Sequence, residues 1–308
     1  MKINKCGYII GALMLVLGLH SCQKTETVDG GERYPILFGS AETRAGAGLD
    51  NLKKDGFKVY AFIQGNAGSS SFEKEVTYTA SQNVWGYEPL EYWIPSTTYY
   101  FKAFYPATPT AGTLTVDNTT KEQNFTIKGF DISQQKDVLM ASAKRVVNAA
   151  AIPTIDGEET QSVVNLNFQH LLACIEIEIV SNINVTIQEI TFENLANLYQ
   201  CNDGTWVKGS GNMTDYTIKP NIGLTSSPTP VEVTGGILVI PAMTGSETVT
   251  IKTSSKTYEN IPLAQNIEWQ AGNKYTYRAE IKQSDIIFNK PKSKVWDSES
   301  ATGSVIIK

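Results

Sequence analysis

The sequence predicts an all-β protein built from two β-sandwich or barrel domains, and three observations lead to this fold class. Apolar residues alternate with polar or aromatic residues at a period of two along most of the chain after residue 36. Turn-forming residues such as Gly, Pro, Asn and Asp separate these runs at short intervals. No stretch keeps a helical period for three turns with caps at both ends, so we expect little helix. Many short strands joined by turns are typical of sandwiches and barrels.

Residues 1–21 are interpreted as an export signal. Two lysines precede an apolar run over residues 8–19, which is too short to anchor a protein across a bilayer but matches the core of a secretory signal. The run ends in LHSC, residues 19–22, which resembles a bacterial lipoprotein box in which Cys22 is acylated. Because two acyl chains already give stable anchoring, the mature chain is expected to lie on a membrane without spanning it.

Residues 22–35 are polar and contain a Gly-Gly pair, which predicts a flexible, lipidated tether. A first domain is predicted over residues 36–160 and a second over 161–308, because a composition break at 147–159 separates an aromatic-rich half from a half rich in Ile and Val. The strand candidates of the two domains include Phe57–Ile63, Tyr99–Tyr105, Val164–Phe168, Ile175–Ile179, Val185–Ile187, Ile237–Val239, Val249–Ile251, Tyr275–Ile281 and Ser304–Ile307.

The charge balance gives no reason to expect nucleic acid as a partner. Lys and Arg total 26 against 31 Asp and Glu, for a formal net charge of -5. This balance gives no electrostatic attraction to a polyanion, so nucleic-acid binding is not expected.

Four cysteines occur in the sequence. Cys6 is lost with the signal and Cys22 is the lipidation residue, which leaves Cys174 and Cys201 as the thiols of an exported protein. These two could form a disulfide, and the alternative is a pair of buried thiols.

Residues suited to catalysis or metal binding are sparse. His170 is the histidine of the mature sequence, and no Cys or His lies at zinc-ligand spacing from it, so no metal site is expected. Because a G-x-S-x-G elbow is also missing, His170 is interpreted as a structural residue bonded to backbone. Glu176 and Glu178 share a strand face and could form a glycosidase pair, but a solvated face is the favoured interpretation. The sequence therefore predicts no enzyme and no cofactor.

An aromatic cluster over residues 92–105 has two interpretations. Exposed rings such as Trp93 would offer stacking platforms for sugars. Aromatic residues in strands are more often core, since they bury large areas, and the core interpretation is favoured.

Six segments occur in a fixed order after residue 36 and together carry a family resemblance. Each is weak alone, because aromatic strands are common in β-proteins, whereas the ordered set behind a lipoprotein signal is more specific. The segments are ILF with ETRAG (36–46), EYWIPSTTYYFKAFYP (91–106), QQKDVLMASA (134–143), VVNLNFQHLLACIEIEI (163–179), EWQAGNKYTYRAEI (268–281) and VWDSESATGSVII (295–307). This set resembles the fimbrillin family of Bacteroidetes, the type V pilins and their Mfa-like relatives.

The resemblance implies two tandem transthyretin-like β-sandwiches, exported as a lipoprotein to the outer membrane and assembled into a fimbria at the cell surface. In that scheme an arginine-specific protease removes an N-terminal strand, and a C-terminal segment of another subunit takes its place. The implied partners are other fimbrial subunits in a homo- or heteropolymer, outer-membrane lipid through Cys22, and the protease. The incoming strand would satisfy open backbone groups and bury alternate side chains in apolar pockets.

The residues that would serve this scheme at the N-terminal end are present. Ile36 and Phe38 share one strand face with Leu37 on the other, as expected of the removable strand. Arg44-Ala45 follows, within a stretch of small residues that a protease could reach. Arg44 is the candidate cleavage residue, and a solvated loop charge is the alternative.

The candidate donor strand consists of Val305, Ile306 and Ile307. If the two ends instead pair within one molecule, the protein is a monomeric lipoprotein. Two alternatives to a fimbrial subunit or adhesin therefore stay open. One is a monomeric surface lipoprotein that binds glycan or protein through its sandwich domains, with Trp93 or its neighbours at the site. The other is a lipid-anchored hydrolase.

Overall fold

A computed structural model of the chain shows an almost entirely β protein, which confirms the predicted fold class. It describes residues 26–28, 31–39, 47–66, 68–151, 153–155, 158–159, 163–196, 198–208, 213–241, 247–263, 267–283 and 285–296.

The strands of the N-terminal half are β1 (Glu26–Val28), β2 (Gly31–Arg33), β3 (Leu37–Gly39), β4 (Phe57–Gly65), β5 (Gly68–Thr79), β6 (Val84–Gly86), β7 (Thr97–Tyr105), β8 (Thr113–Val116), β9 (Phe125–Asp131), β10 (Leu139–Val147), β11 (Pro153–Ile155) and β12 (Glu158–Glu159). The strands of the C-terminal half are β13 (Val163–Asn165), β14 (Gln169–His170), β15 (Ala173–Ser181), β16 (Val185–Ala196), β17 (Leu198–Asn202), β18 (Thr205–Lys208), β19 (Met213–Ile218), β20 (Ile222–Leu224), β21 (Ser227–Glu232), β22 (Ile237–Val239), β23 (Thr248–Thr253), β24 (Thr257–Pro262), β25 (Asn273–Ile281), β26 (Ile286–Phe288) and β27 (Lys292–Val295). The helical elements are α1 (Ala47–Asp55) and a short 3-10 turn at Ile132–Gln134.

The first sandwich is built on an antiparallel main sheet in the order β12-β11-β10-β7-β4-β5-β6, with β14 also pairing with β10. The alternation in β4 and β7 turns one face of this sheet toward a core that contains Val59, Ala61, Phe101 and Ala103. A second layer, made of β3, β13 and residues 91–93, packs on the same core.

The second sandwich packs two sheets together, in the orders β21-β15-β25-β26 and β19-β16-β23-β24. Strands β15 and β25 are parallel neighbours, and their inward residues, such as Ile177 and Tyr277, belong to one apolar core. Glu176 lies on the outer face 2.7 Å from Lys274 Nζ, and Glu178 bonds Arg278 in the same way. The two glutamates therefore form a row of ion pairs on a partly exposed face.

A third sheet joins the two halves. Its order is β18-β17-β9-β8, so that two strands come from each half. Tyr60 and Phe104 on the outer face of the main sheet pack against it, in a core that also contains Leu171, Cys201 and Ile240. This explains why both faces of β4 are apolar or aromatic. The halves share a sheet and a core, which couples them physically.

The sequence pattern does not predict the helix α1, because its nine residues make fewer than three helical turns. Leu52 is fully buried on one side of it, and Asp50 in its first turn favours the positive end of the helix dipole. Gly56 ends the helix: its φ is +71°, and its N-H donates to Leu52 O at 2.8 Å. A Cβ at Gly56 would lie 2.6 Å from Val76 O, so only glycine fits. Neither helical element in the described ranges has the length and apolarity to cross a bilayer.

Two sequence expectations differ from the structure. Part of the predicted tether forms an antiparallel hairpin, since β1 pairs with β2. Three residues assigned to the second domain, Val164, Leu166 and Phe168, belong to the core of the first sandwich. These three residues therefore pack with the half that precedes the predicted boundary at residue 160.

Candidate functional site

The residues predicted as a removable strand lie inside the first sandwich, in a segment that spans residues 34–39. Ile36 and Phe38 are 0% and 3% exposed, whereas Leu37 on the opposite face is only partly buried. This is the alternation expected of a strand with one face on a core. Burying each of the two side chains contributes about 1.5–3 kcal/mol, so these side chains are a main attachment of the segment.

Segment 34–39 makes backbone hydrogen bonds along both of its edges. On one edge Ile36 N donates to Glu91 O at 2.8 Å. On the other edge β3 pairs in parallel with β13, and Leu166 N donates to Gly39 O at 2.8 Å. None of these bonds belongs to the main sheet, whose strand order does not include β3. Removing the segment would therefore leave the main sheet hydrogen-bonded and open a groove between the two neighbours.

The pocket around Phe38 is aromatic. Its ring centroid lies 5.4 Å from that of Tyr87 and 5.7 Å from that of Phe101, in tilted and edge-to-face contacts. The Tyr87 hydroxyl donates to Ile36 O at 2.7 Å and accepts from Glu91 N at 3.2 Å. Burial raises the pKa of Tyr87, so the hydroxyl stays protonated and able to donate. Tyr87 thus connects the segment to the neighbouring residues 91–93.

The predicted lipidation and processing residues, Cys22, Arg44 and Ala45, lie outside the described residues. In the sequence, Arg44 falls between the end of β3 and the start of α1. Two other arginines are held in strands: Arg145 in β10 is 8% exposed, and Arg278 in β25 is paired with a glutamate. Both arginines are poor protease sites, because their backbone is hydrogen-bonded to neighbouring strands and a protease needs accessible backbone.

The predicted donor residues, Val305, Ile306 and Ile307, also lie outside the described residues. The last described strand, β27, pairs antiparallel with β25 at the edge of its sheet and is exposed along its length. Trp296 follows it, so the tail of residues 297–308 begins at this edge.

Trp296 is attached to the junction between the halves. Its N-H donates to Gly272 O at 2.7 Å, and its ring stacks on His170 with centroids 3.6 Å apart. His170 Nδ1 lies 2.6 Å from Asp137 Oδ2, and His170 pairs with Leu139 of the main sheet. The Asp137 carboxylate is thus a partner of His170 that the sequence did not predict. His170 has a structural role at the start of the tail.

Most of the aromatic cluster is core. Trp93, Tyr99, Phe101 and Phe104 are at most 3% exposed. Trp93 cannot serve as a sugar-stacking platform while it is buried, whereas its neighbours Tyr92 and Tyr100 are partly buried. Across the residues that the structure describes, no three His, Cys, Asp or Glu side chains are grouped to hold a metal ion.

Comparison with known proteins identifies the family. Residues 43–296, which are most of the chain, match the model of a protein family that is described as fimbrillin-like. The chain belongs to the fimbrillin-like family. No curated protein matches it.

Solved structures with the same fold come from Bacteroides. A fimbrial protein from Bacteroides vulgatus ATCC 8482 is 17% identical with a TM-score of 0.62, over 86% of this chain and 99% of that chain. A proposed cell adhesion protein from Bacteroides uniformis ATCC 8492 is 17% identical with a TM-score of 0.52, over 88% and 100%. Another from Bacteroides ovatus ATCC 8483 is 14% identical with a TM-score of 0.51, over 87% and 98%. At these identities the likeness establishes the fold.

In this fimbrillin-like protein the possible disulfide between Cys174 and Cys201 is not formed. Both are buried thiols, in β15 of the second sandwich and in β17 of the joining sheet. Burial raises the pKa of Cys201 to about 11, which keeps it a neutral thiol. Cys201 packs as a small apolar side chain in the core of the joining sheet.

The parallel partner of the N-terminal segment is a site feature that the sequence pattern does not predict. Val163, Val164 and Asn165 contact β3 across more than a hundred residues of chain. The VVNLNF run signals a strand, but alternation alone carries no information about which strand is its neighbour. The same holds for Tyr87, whose hydroxyl lies in a stretch with weak strand signal.

Proposed function

We propose that this fimbrillin-like protein is a fimbrial structural subunit or subunit-like adhesin, exported as a lipoprotein and assembled by protease-triggered donor-strand exchange. Family membership supports the fimbrial or adhesin role, as do the fimbrial and cell adhesion descriptions of structures with the same fold. Such a protein acts at the cell surface, with other fimbrial subunits as its partners.

One observation carries the exchange mechanism. Segment 34–39 fills core pockets with Ile36 and Phe38, yet it takes no part in the hydrogen-bond ladder of the main sheet. A strand placed in this way is needed to complete the core but can be exchanged without unfolding the sheet. An incoming strand with the same alternation would restore both the pockets and the edge hydrogen bonds.

The proposed trigger is cleavage after Arg44. While the chain is intact, segment 34–39 is tethered to its groove and rebinds at once after any local opening. After the cut it becomes a separate peptide, held by its edge hydrogen bonds and by two buried side chains. The side chains together supply roughly 3–6 kcal/mol before the entropic cost of binding. Before that cost is subtracted, this range corresponds to dissociation constants from about 6 mM to about 40 μM, so the cut peptide can dissociate and an incoming strand can take its place. The same cut would release the body from lipid on Cys22.

The donor in this proposal is the tail of another subunit. Val305 and Ile307 would take the two core pockets, with Ile306 on the opposite face, and Ala45 would become the first residue of the assembled form. Chains with intact N-terminal segments would stay monomeric on the outer membrane.

Terminal sequencing of material sheared from cells, together with SDS gels without heating, tests the proposal. We expect Ala45 at the N-terminus and a ladder of SDS-resistant oligomers. Arg44→Ala should abolish both, whereas the matched control Arg33→Ala, an exposed residue of β2, should leave both unchanged. Truncation after Trp296 should leave a folded chain that does not join. A ladder that persists in Arg44→Ala or in the truncated chain would refute the exchange mechanism.

A further inference from the structure

Strand β5 (Gly68–Thr79) is longer than the two strands that flank it in the main sheet. Along one edge, β4 pairs with Gly68–Val76 in nine consecutive residue pairs. Along the other edge, β6 pairs only with Thr77–Thr79. Among the described residues, Gly68–Val76 therefore has a sheet neighbour on one side and a free edge on the other.

The backbone groups on the free edge of β5 belong to the odd-numbered residues of 69–75. Only two residues separate Gly65 from Gly68 in the sequence, and so short a hairpin connection makes this a hydrogen-bonded pair. Successive residues of an antiparallel ladder point their N-H and C=O groups to opposite sides, so the even-numbered residues face β4. All the odd-numbered residues of 69–75 are exposed, and no hydrogen bond joins their backbone groups to another described residue.

Two other sheet edges in the described part of the chain carry features that oppose the addition of a strand. β21 contains two prolines, which lack the N-H that an incoming strand needs, and β27 contains two exposed lysines. The stretch Gly68–Val76 contains no proline, and its pairing with β4 has no bulge. Its lysine, Lys74, is held by Glu91 of the same molecule at 2.8 Å. The free edge of β5 is thus open to another strand.

The same edge of a second copy is a complementary partner. Around a twofold axis perpendicular to the sheet, the core faces of both copies stay on one side, so residues of the same face pair with each other. A pairing centred on Glu73 or Lys74 would place like charges opposite each other. A pairing centred on Phe72 instead places every charged residue of 73–75 opposite a serine of 69–71.

The register centred on Phe72 also uses the free backbone groups in full. The odd-numbered residues of 69–75 then form hydrogen-bonded pairs between the copies, with about eight hydrogen bonds in all. A register centred on Ser71 avoids like charges too, but it leaves Glu75 without a partner in β5 and makes only about six bonds. Phe72 falls in a non-hydrogen-bonded pair, where opposite side chains are closest, so its partly buried ring meets its counterpart on the core side.

We propose that two copies of this chain pair antiparallel along the free edges of β5, with Phe72 opposite Phe72, and so join their main sheets into one. The pairing does not depend on segment 34–39 or on cleavage at Arg44, because β3 is not part of the main sheet. A single strand pair is a small interface, so the association is weak in dilute solution and is favoured where copies are concentrated, as on a surface. It joins copies through an edge that donor-strand exchange does not use.

Disulfide trapping tests the register. Full-length chain carrying Arg44→Ala is used, so that the proposed exchange does not contribute. Phe72→Cys places a thiol opposite its own counterpart, within reach of a disulfide, so mild oxidation should link two chains at position 72, as mapped by mass spectrometry. Ser70→Cys on the same face is the matched control. Its two copies lie four residues apart, about 13 Å, and should give at least about tenfold less linked dimer.

A proline on the free edge tests the hydrogen bonds. Ser71→Pro removes one N-H from each copy and leaves the pairing with β4 in place, because the backbone groups of Ser71 point away from β4. Loss of two hydrogen bonds should raise the dissociation constant of the dimer about tenfold or more in sedimentation equilibrium. Ser71→Ala keeps the N-H and should leave that constant unchanged. Thermal unfolding of both variants verifies the fold, and if Ser71→Pro unfolds, the disulfide comparison decides.

Each result bears on one claim. A chain that stays monomeric at its highest soluble concentration, without linkage at position 72, would overturn the edge pairing and leave donor-strand exchange standing. Equal linkage of Phe72→Cys and Ser70→Cys would also overturn it, as would equal dissociation constants for folded Ser71→Pro and Ser71→Ala. Oligomer ladders that persist in cells with Arg44→Ala would refute the exchange mechanism, whereas linkage at position 72 would still support the edge pairing.

Discussion

Replacing Phe38 by alanine tests how segment 34–39 is held in the first sandwich. The Phe38 ring is 3% exposed and packs against Tyr87 and Phe101, so truncation leaves a cavity. The wall formed by Phe101 belongs to the main sheet, which is fixed by its ladder and cannot collapse into the space. Buried Phe to Ala changes cost about 3–5 kcal/mol, and we expect a loss of about 3–4 kcal/mol in the free energy of unfolding.

The matched control is Leu37→Ala, on the same strand but on the partly buried face, where about 1 kcal/mol is expected. Urea denaturation followed by tryptophan fluorescence measures both. With a slope of about 3 kcal/mol per molar urea, Phe38→Ala should lower the midpoint by about 1 M and Leu37→Ala by about 0.3 M.

The same loss should accelerate release of the segment from a chain cleaved at Arg44. At 1.4 kcal/mol per factor of ten, a loss of about 3 kcal/mol corresponds to roughly a hundredfold faster dissociation. Mass spectrometry of the released peptide over time gives the rate. Equal midpoints and equal release rates for Phe38→Ala and Leu37→Ala would refute the idea that the aromatic pocket holds the segment.

Three further predictions follow from contacts elsewhere in the chain. His170→Ala removes the ring stacked on Trp296, so amide hydrogen exchange in β27 should speed up by about tenfold, and unchanged exchange would deny His170 its role at the start of the tail. Cys201, with its pKa raised to about 11 by burial, should resist iodoacetamide at pH 8 in the native chain and react fully in denaturant; fast native labelling would contradict its burial. Burial raises the pKa of Tyr199 from 10.0 to about 12, so this residue binds its proton more tightly in the folded state than in the unfolded state. The free energy of unfolding should therefore stay constant below about pH 10 and fall between pH 10 and 12. Tyr199→Phe should make that fall shallower in urea titrations at each pH, and an unchanged slope would exclude the residue as a contributor.

Much of the fold could be predicted because alternation is local information. The FKVYAFI run became β4, and the alternating Ile175, Ile177 and Ile179 became the inward face of β15, because a strand against a core needs apolar residues at every second position. The burial of Ile36 and Phe38 agrees with the same argument. The short helix α1 could not be predicted, since its single buried Leu52 gives no helical period.

The neighbours of each strand could not be predicted in this way. β17 pairs with β9 of the other half, and β15 pairs in parallel with β25 about a hundred residues away. Every strand alternates its side chains with a period of two, whichever strand it pairs with. The alternation therefore does not predict which strands are neighbours. The same limit applies to the thiols, because the cysteine count allowed a disulfide and the structure has two free, buried thiols.

By itself, the sequence determined that this chain forms apolar-faced strands, that the strand at Ile36 and Phe38 has one face for a core, and that its residue types match those of fimbrillins. These properties depend on residues that are close together in the chain, because their spacing decides which side of a strand each one occupies. Only the tertiary structure decided that this strand lies between residues 91–93 and β13, outside the main sheet, and that Trp296 stacks on His170. Those relations join residues far apart in the chain, and they arise from the packing of complete sheets, which no local pattern encodes.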